Sequence, residues 1–152
     1  MAKFVVPLTN YDLAGQVAAM VNTYNQWYTV FTPHRILTSP SLYLVELCFN
    51  QVAGCAALTK EYPQLSKIQH LCVLPQYRKK GIAKRLVEQA IANCSTEFVC
   101  MTIREDNVAS LALAKSMEFH FINKNWFRDH WTYLVARPKD FNGRQYIGNF
   151  GH

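Results

Sequence analysis

The chain has 152 residues, half of them hydrophobic, and a formal net charge of +6. That size and composition fit one folded domain and exclude a disordered chain, while the charge favours anionic partners such as nucleotide phosphates, nucleic acid or an acidic protein surface. No stretch reads as about 20 continuous apolar residues, and Met1–Pro7 lacks the apolar core and cleavage site of a secretory signal, so a cytoplasmic protein with no membrane partner is expected. Cys48, Cys55, Cys72, Cys94 and Cys100 are odd in number and show no zinc-ligand spacing, which predicts reduced core thiols and no metal.

Phe4–Leu8 reads as a short strand. Asn10 or Asp12 caps a predicted helix running to about Tyr24, with Leu13, Val17, Met20 and Val21 on one face. Gln26–Phe31 is predicted to continue as a second short helix, and Thr32–Ser41, which contains Pro33 and Pro40, as a loop. Leu42–Phe49 and Val52–Thr59 are β-rich runs joined by a hairpin at Asn50-Gln51. Lys60–Leu65 then reads as a loop and Lys67–Val73 as a strand, which must end in the polar, Pro75-containing segment Leu74–Lys80. Ile82, Leu86, Val87, Ala90 and Ile91 recur at helical spacing and predict a helix to about Asn93.

Glu97–Ile103 is a predicted strand and Asn107–Met117 a helix. Phe119–Trp126 and His130–Ala136 form a last pair of strands turning near Arg128-Asp129. Arg137–His152 mixes Gly, Asn and basic residues, so the expected division is a domain over 1–137 and an irregular tail over 138–152. The order β-α-α-β-β-β-α-β-α-β-β predicts a single-domain α/β fold with a mixed sheet.

The chemistry concentrates between the strand ending at Val73 and the helix beginning near Ile82. Arg78, Lys79, Lys80, Lys84 and Arg85 fall within eight residues there. The first turn of a helix presents unpaired N–H groups, and its dipole favours negative charge. Gly81 permits a close approach of backbone to a ligand, Ala83 keeps the next position small, and the lysines add positive charge around a phosphate. A Walker loop and a dinucleotide fingerprint are both excluded, since each needs glycines that are absent.

The run Arg78-Lys-Lys-Gly81-Ile-Ala83 resembles the Arg/Gln-x-x-Gly-x-Gly/Ala signature of the GNAT family of N-acetyltransferases. Leu71-Cys-Val73-Leu-Pro75 is similar to the strand end and Pro that precede it, and Val52-Ala-Gly54 to the end of that family's central hairpin. Asn107–Phe119 resembles its later Asn-…-Ala-Leu-Tyr-x-Lys-x-Gly-Phe segment. The resemblance covers roughly Leu42–Ala136. It implies acetyl-CoA as cosubstrate, with the pyrophosphate on the amides of Arg78, Lys79, Lys80, Gly81, Ile82, Ala83 and Lys84. It implies a pantetheine arm along Leu71, Cys72 and Val73, a cofactor contact from Asn107, and direct attack by an amine on the thioester. Backbone N–H groups near Leu71–Val73 would meet the developing oxyanion.

Two positions depart from the family pattern. Ala114 stands where a Tyr often protonates the leaving thiolate, and Glu118 stands where the family has Gly. A thiol leaves readily near neutral pH, so loss of the acid slows transfer without forbidding it. The strand before the signature carries Lys67, Gln69 and His70 but no carboxylate, which makes His70 the candidate base; a strand histidine of the core is the plain alternative. Glu46 is a more distant candidate acting through water. Tyr28, His34 and Tyr133 are candidate acceptor-binding residues, with core packing of the aromatics as the alternative. The acceptor is expected to be an amine on a small molecule or on a protein, at a lysine or an N-terminus. Two other readings stay open: a GNAT-like protein that modifies or binds nucleic acid, suggested by the charge, and a non-catalytic acyl-CoA-binding regulator, suggested by Ala114. The final strands could supply the edge of a homodimer.

Overall fold

The computed structural model describes residues 5–25 and 29–140. In chain order the elements are β1 (Val5–Pro7), α1 (Tyr11–Tyr24), α2 (Pro33–Thr38), β2 (Leu42–Cys48), β3 (Gln51–Tyr62), β4 (Leu65–Val73), a 3-10 turn (Pro75–Tyr77), α3 (Ile82–Asn93), β5 (Phe98–Arg104), α4 (Val108–Ser116), β6 (His120–Phe127) and β7 (His130–Pro138). The expected succession is the observed one, an α/β fold with a mixed seven-stranded sheet of order β1-β2-β3-β4-β5-β7-β6. The chain divides into two compact units, Met1–Thr59 with Ile68–Asn93 and Lys60–Lys67 with Cys94–His152.

In the first unit, β1 and β2 pair antiparallel, as do β2 and β3, with Tyr43 opposite Ala57, Val45 opposite Cys55 and Glu46 opposite Gly54. Alternate residues of a strand face opposite sides. Tyr43, Val45, Cys55 and Ala57 therefore share one face, where Val17, Met20 and Val21 of α1 and Ile36 of α2 join the same buried cluster. The other face meets α3. A Cβ on Gly54 would stand 2.9 Å from Ile82 Cγ2, 3.1 Å from the Cys72 carbonyl oxygen and 3.1 Å from Leu86 Cδ1. Only a glycine lets α3 pack this close to β3.

The structure corrects the expected elements at three places. The second helix is Pro33–Thr38, inside the segment predicted as a loop. Pro33 sits at its first position, where the missing N–H costs nothing, and Thr32 caps it by accepting the Arg35 N–H at 3.1 Å. Of the helix predicted over Gln26–Phe31, residues 26–28 lie outside the described residues and 29–31 are not helical. There the Asn22 side chain accepts the Phe31 N–H and donates to the Phe31 carbonyl, both at 2.8 Å. The β2–β3 turn sits at Phe49-Asn50, both with positive φ, one residue earlier than expected. Finally, β3 and β4 run through most of Lys60–Leu65 to a tight turn at Pro63-Gln64.

In the second unit, Leu65–Lys67 of β4 pair in parallel with Phe98–Cys100 of β5, while β5, β7 and β6 are antiparallel. Thr96 donates to Ser66 Oγ at 2.8 Å, which satisfies two buried hydroxyls. Helix α4 ends with Glu118 at φ 68°, and the Phe119 N–H returns to the Ala114 carbonyl at 3.0 Å. This is the left-handed helix stop that glycine usually fills, and it explains in backbone terms why the resembled pattern has Gly there. β7 continues to Pro138, two residues beyond the expected strand end; residues 141–152 of the expected tail lie outside the described residues.

Candidate functional site

The basic turn after β4 has a defined shape. Lys79 has φ 64° and Gly81 has φ 81°, so the chain turns sharply before α3 starts at Ile82. The first intrahelical bond runs from the Arg85 N–H to the Gly81 carbonyl at 3.1 Å. The N–H groups of Ile82, Ala83 and Lys84 thus precede the helical ladder, as an anion cradle requires. The Ile82 side chain is buried against Gly54, so Ile82 gives the core its side chain and leaves its backbone N–H at the turn.

The five cations of the cluster divide by role. Arg85 grips Glu46 with Nε–Oε1 at 2.7 Å and Nη2–Oε2 at 2.8 Å, and its Nη1 also donates to the Lys80 carbonyl at 3.2 Å. Glu46 is 1% exposed. The expectation of Glu46 as a distant base gives way to a structural one: both its oxygens are engaged by a guanidinium. That bidentate pairing raises the Arg85 pKa, chiefly through the hydrogen bonds. Arg78 donates from Nε to the Val73 carbonyl at 3.0 Å and lies 5.5 Å over the Tyr24 ring, closing the turn back onto the end of β4. Lys80 lies 5.9 Å over Tyr77. Lys79, Lys80 and Lys84 are exposed and form no ion pair among the described residues.

His70 lies on β4 just before Leu71–Val73 and is 5% exposed. Its φ is 56°, a left-handed residue within a strand, and its carbonyl accepts from Cys55 Sγ at 3.3 Å. The strand is locally re-aimed there, as at a bulge. Tyr43 Oη and His70 Nδ1 are hydrogen-bonded at 2.8 Å. The two residues stand on β2 and β4 with β3 between them, and the Tyr43 ring reaches across opposite the small Ala57. Burial pushes the Tyr43 phenol up to about 12, so it stays protonated over the working pH range. The Phe31 ring meets the imidazole edge-on with centroids 4.8 Å apart.

Above this pair opens a cavity of about 490 Å³, lined by Phe31, Arg35, Ser41, Tyr43, Gln69 and His70 among others. Its size suits a small ligand or a peptide end. Arg35 and Gln69 stand beside His34 and His70 in the sequence, but no periodicity records that a β2 tyrosine meets a β4 histidine two strands away.

The remaining expected site residues fall as follows. Leu71 and Val73 are half-buried, and Cys72 is a core thiol whose Sγ contacts the Met20 carbonyl at 3.9 Å; burial pushes it up to about 11. His34 is exposed on α2 and is not part of the cavity lining; its carbonyl accepts the Thr38 hydroxyl. Tyr28 lies outside the described residues. In the second unit, Asn107 caps α4, with Oδ1 accepting the Ser110 N–H at 3.1 Å. Tyr133 donates to Glu105 at 3.3 Å and packs edge-on against Phe121. Ala114 is buried and has no proton to give. All five thiols are free. Among the described residues, no cluster of three or more metal-ligating side chains occurs, and no helix is long and apolar enough to cross a membrane.

The chain is similar to known proteins in sequence and in fold. The model of the Acetyltransferase (GNAT) family matches residues 9–119. An N-alpha-acetyltransferase of Saccharolobus solfataricus is 29% identical over 89 residues, 52% of this chain and 53% of that protein. An uncharacterized N-acetyltransferase of Chlorobaculum tepidum is 36% identical over 92 residues, covering 59% of this chain and 57% of that protein. The matched segment thus spans about half the length of these curated relatives. The crystal structure of Ard1 from Thermoplasma volcanium has the same fold, with a TM-score of 0.78 at 19% identity over 91% of this chain and 98% of that one. The signature turn on α3 lies inside the segment that the family model covers, and on that match the chain belongs to the GNAT family of acetyltransferases.

Proposed function

We propose that the chain moves an acetyl group from acetyl-CoA to an amine by direct attack on the thioester. The observation that carries this reading is the Lys79–Gly81 turn, which leaves the first N–H groups of α3 without helical partners directly after β4. Lys79, Lys80 and Lys84 supply the charge for a pyrophosphate, and Arg78 and Arg85 hold the turn in shape. The curated relatives are named as N-acetyltransferases, which supports the same reaction.

In this reading the acceptor enters the cavity above His70. His70, hydrogen-bonded to Tyr43 through Nδ1, is the group that takes a proton from the incoming ammonium. The neutral amine forms the new C–N bond, backbone N–H groups near Leu71–Val73 meet the oxyanion, the C–S bond breaks to release thiolate, and the amide nitrogen gives its remaining extra proton to solvent. Ala114 cannot protonate that thiolate, so solvent does. A soluble, cytoplasmic setting fits this chemistry.

A second reading, a non-catalytic acyl-CoA binder, draws on the buried Ala114. Thiol release separates the two. Acetyl-CoA turnover with a panel of amines is expected to release free thiol in proportion to acetylated amine. Tight cofactor binding with no release across the panel would favour the binder, and no binding at millimolar cofactor would sink both.

A further inference from the structure

The cavity over His70 is biased in charge. Among the described residues its lining includes one cation, Arg35, and no carboxylate; the other polar groups there are the phenol, the imidazole, the Gln69 amide and hydroxyls. A site that admitted any amine would gain from acidic residues, because the amine arrives as a cation. Here an arginine faces the space instead.

Arg35 is also preorganised. It lies on a six-residue helix capped at its start by Thr32, and the Thr38 hydroxyl donates to the His34 carbonyl within the same helix. Its guanidinium carbon lies 4.8 Å over the Phe31 ring, and the Phe31 backbone is clamped by both ends of the Asn22 amide. Among the described residues Arg35 forms no ion pair. It is a held cation whose hydrogen-bonding fork is not committed to a carboxylate.

We infer, building on the proposed transfer reaction, that the acetyl acceptor is an amine carrying its own anion, a carboxylate or phosphate a few bonds from the nitrogen, and that Arg35 clamps that anion. Phe31 sets the spacing. Its ring centroid is 4.8 Å from the guanidinium carbon and 4.8 Å from the imidazole centroid, so these two groups lie within about 10 Å of each other. With about 3 Å taken by a hydrogen bond at each end, the geometry suits an anion no more than about 4 Å from the reacting nitrogen. Amino acids, aminoalkyl phosphates and acidic N-terminal residues of a peptide all have that spacing. The Gln69 amide and the cavity hydroxyls add neutral donors that an oxyanion can use.

The test uses matched amines on the full chain. An α-amino acid is compared with its amide, O-phosphoethanolamine with ethanolamine, and a peptide beginning with Asp with one beginning with Asn. Thiol release is expected to show kcat/KM about ten- to a hundredfold higher for the anionic member of at least one pair. Which pair responds distinguishes a free metabolite from a protein N-terminus. Arg35→Gln is expected to bring the anionic member down to its neutral counterpart, and Arg35→Glu to reverse the order, while acetyl-CoA affinity by calorimetry is unaltered. Equal rates within every pair, or an Arg35→Gln loss of the same factor for both members, would overturn the inference and leave the transfer reading standing. If no amine is acetylated, binding of the anionic amines is measured directly by calorimetry. Binding lost in Arg35→Gln supports the clamp while the transfer reading fails, and no binding overturns the clamp as well.

Discussion

Replacing Arg85 with Met tests how the turn before α3 is held. The substitution removes two hydrogen bonds to Glu46, at 2.7 and 2.8 Å, and one to the Lys80 carbonyl at 3.2 Å. Glu46 is 1% exposed and would be left as a buried, unpaired carboxylate. Breaking a fully buried pair costs about 3–5 kcal/mol. The Arg85 side chain is 33% exposed, so water relieves part of this, and a loss of about 2–3 kcal/mol is expected. In a domain of this size that corresponds to a fall in Tm of about 5–10 °C. Urea denaturation of Arg85→Met, Glu46→Met and the double variant forms the cycle. The double variant is expected to recover most of the loss, because methionine at both sites leaves no buried charge. Acetyl-CoA affinity should fall in Arg85→Met and in the double variant alike, since both lose the bond that ties Lys80 to α3. A coupling energy below about 0.5 kcal/mol would refute the view that the pair organises the turn.

Three further outcomes are expected. Glu118→Gly relieves a left-handed residue at the end of α4 (φ 68°) and should stabilise the chain by about 1 kcal/mol in urea denaturation; a loss of stability would contradict the helix-stop geometry. Burial pushes Cys72 and Cys100 from 9.0 up to about 11 and Tyr43 from 10.0 up to about 12. The folded chain holds these protons more tightly than the unfolded one, so their contribution is complete below about pH 9 and is lost as pH rises through about 11–12. Urea midpoints should therefore decline above about pH 9, and a flat profile would argue against burial of these groups. For the base, kcat/KM of the wild type should show a limb rising with pH, as general-base catalysis requires. His70→Ala should flatten that limb and Tyr43→Phe should displace it; an unaltered limb in His70→Ala removes His70 from the role.

Much of the fold is readable in the chain because its elements carry clean periodicities. Ile82, Leu86, Val87 and Ala90 are the buried face of α3 as their spacing predicts, and β4 alternates strictly between half-buried and buried residues. The misread segments are those where a local signal has two meanings. Pro33 ends a helix when it falls inside one and starts one when it falls first. Lys60-Glu61-Tyr62 looks like a loop because the tip of a long hairpin needs no apolar face.

The site shows the same division. The turn from Arg78 to Ala83 is contiguous in sequence, so its basic residues and glycine announce it. Arg85 and Glu46 are 39 residues apart, and the cluster's five cations look alike until the partner carboxylate separates a structural arginine from the exposed lysines. The Tyr43–His70 pair is 27 residues apart and two strands across, a distance that no local pattern encodes.

The most direct test of the central claim is calorimetric titration of acetyl-CoA into the wild type and Gly81→Glu. Gly81 has φ 81°, and an added Cβ would stand 3.1 Å from Arg85 Nη1, so any side chain there strains the turn, while a carboxylate also repels the pyrophosphate. Saturable binding in the wild type and its loss in a folded Gly81→Glu chain is the expected result. Undiminished binding in that variant would contradict the account.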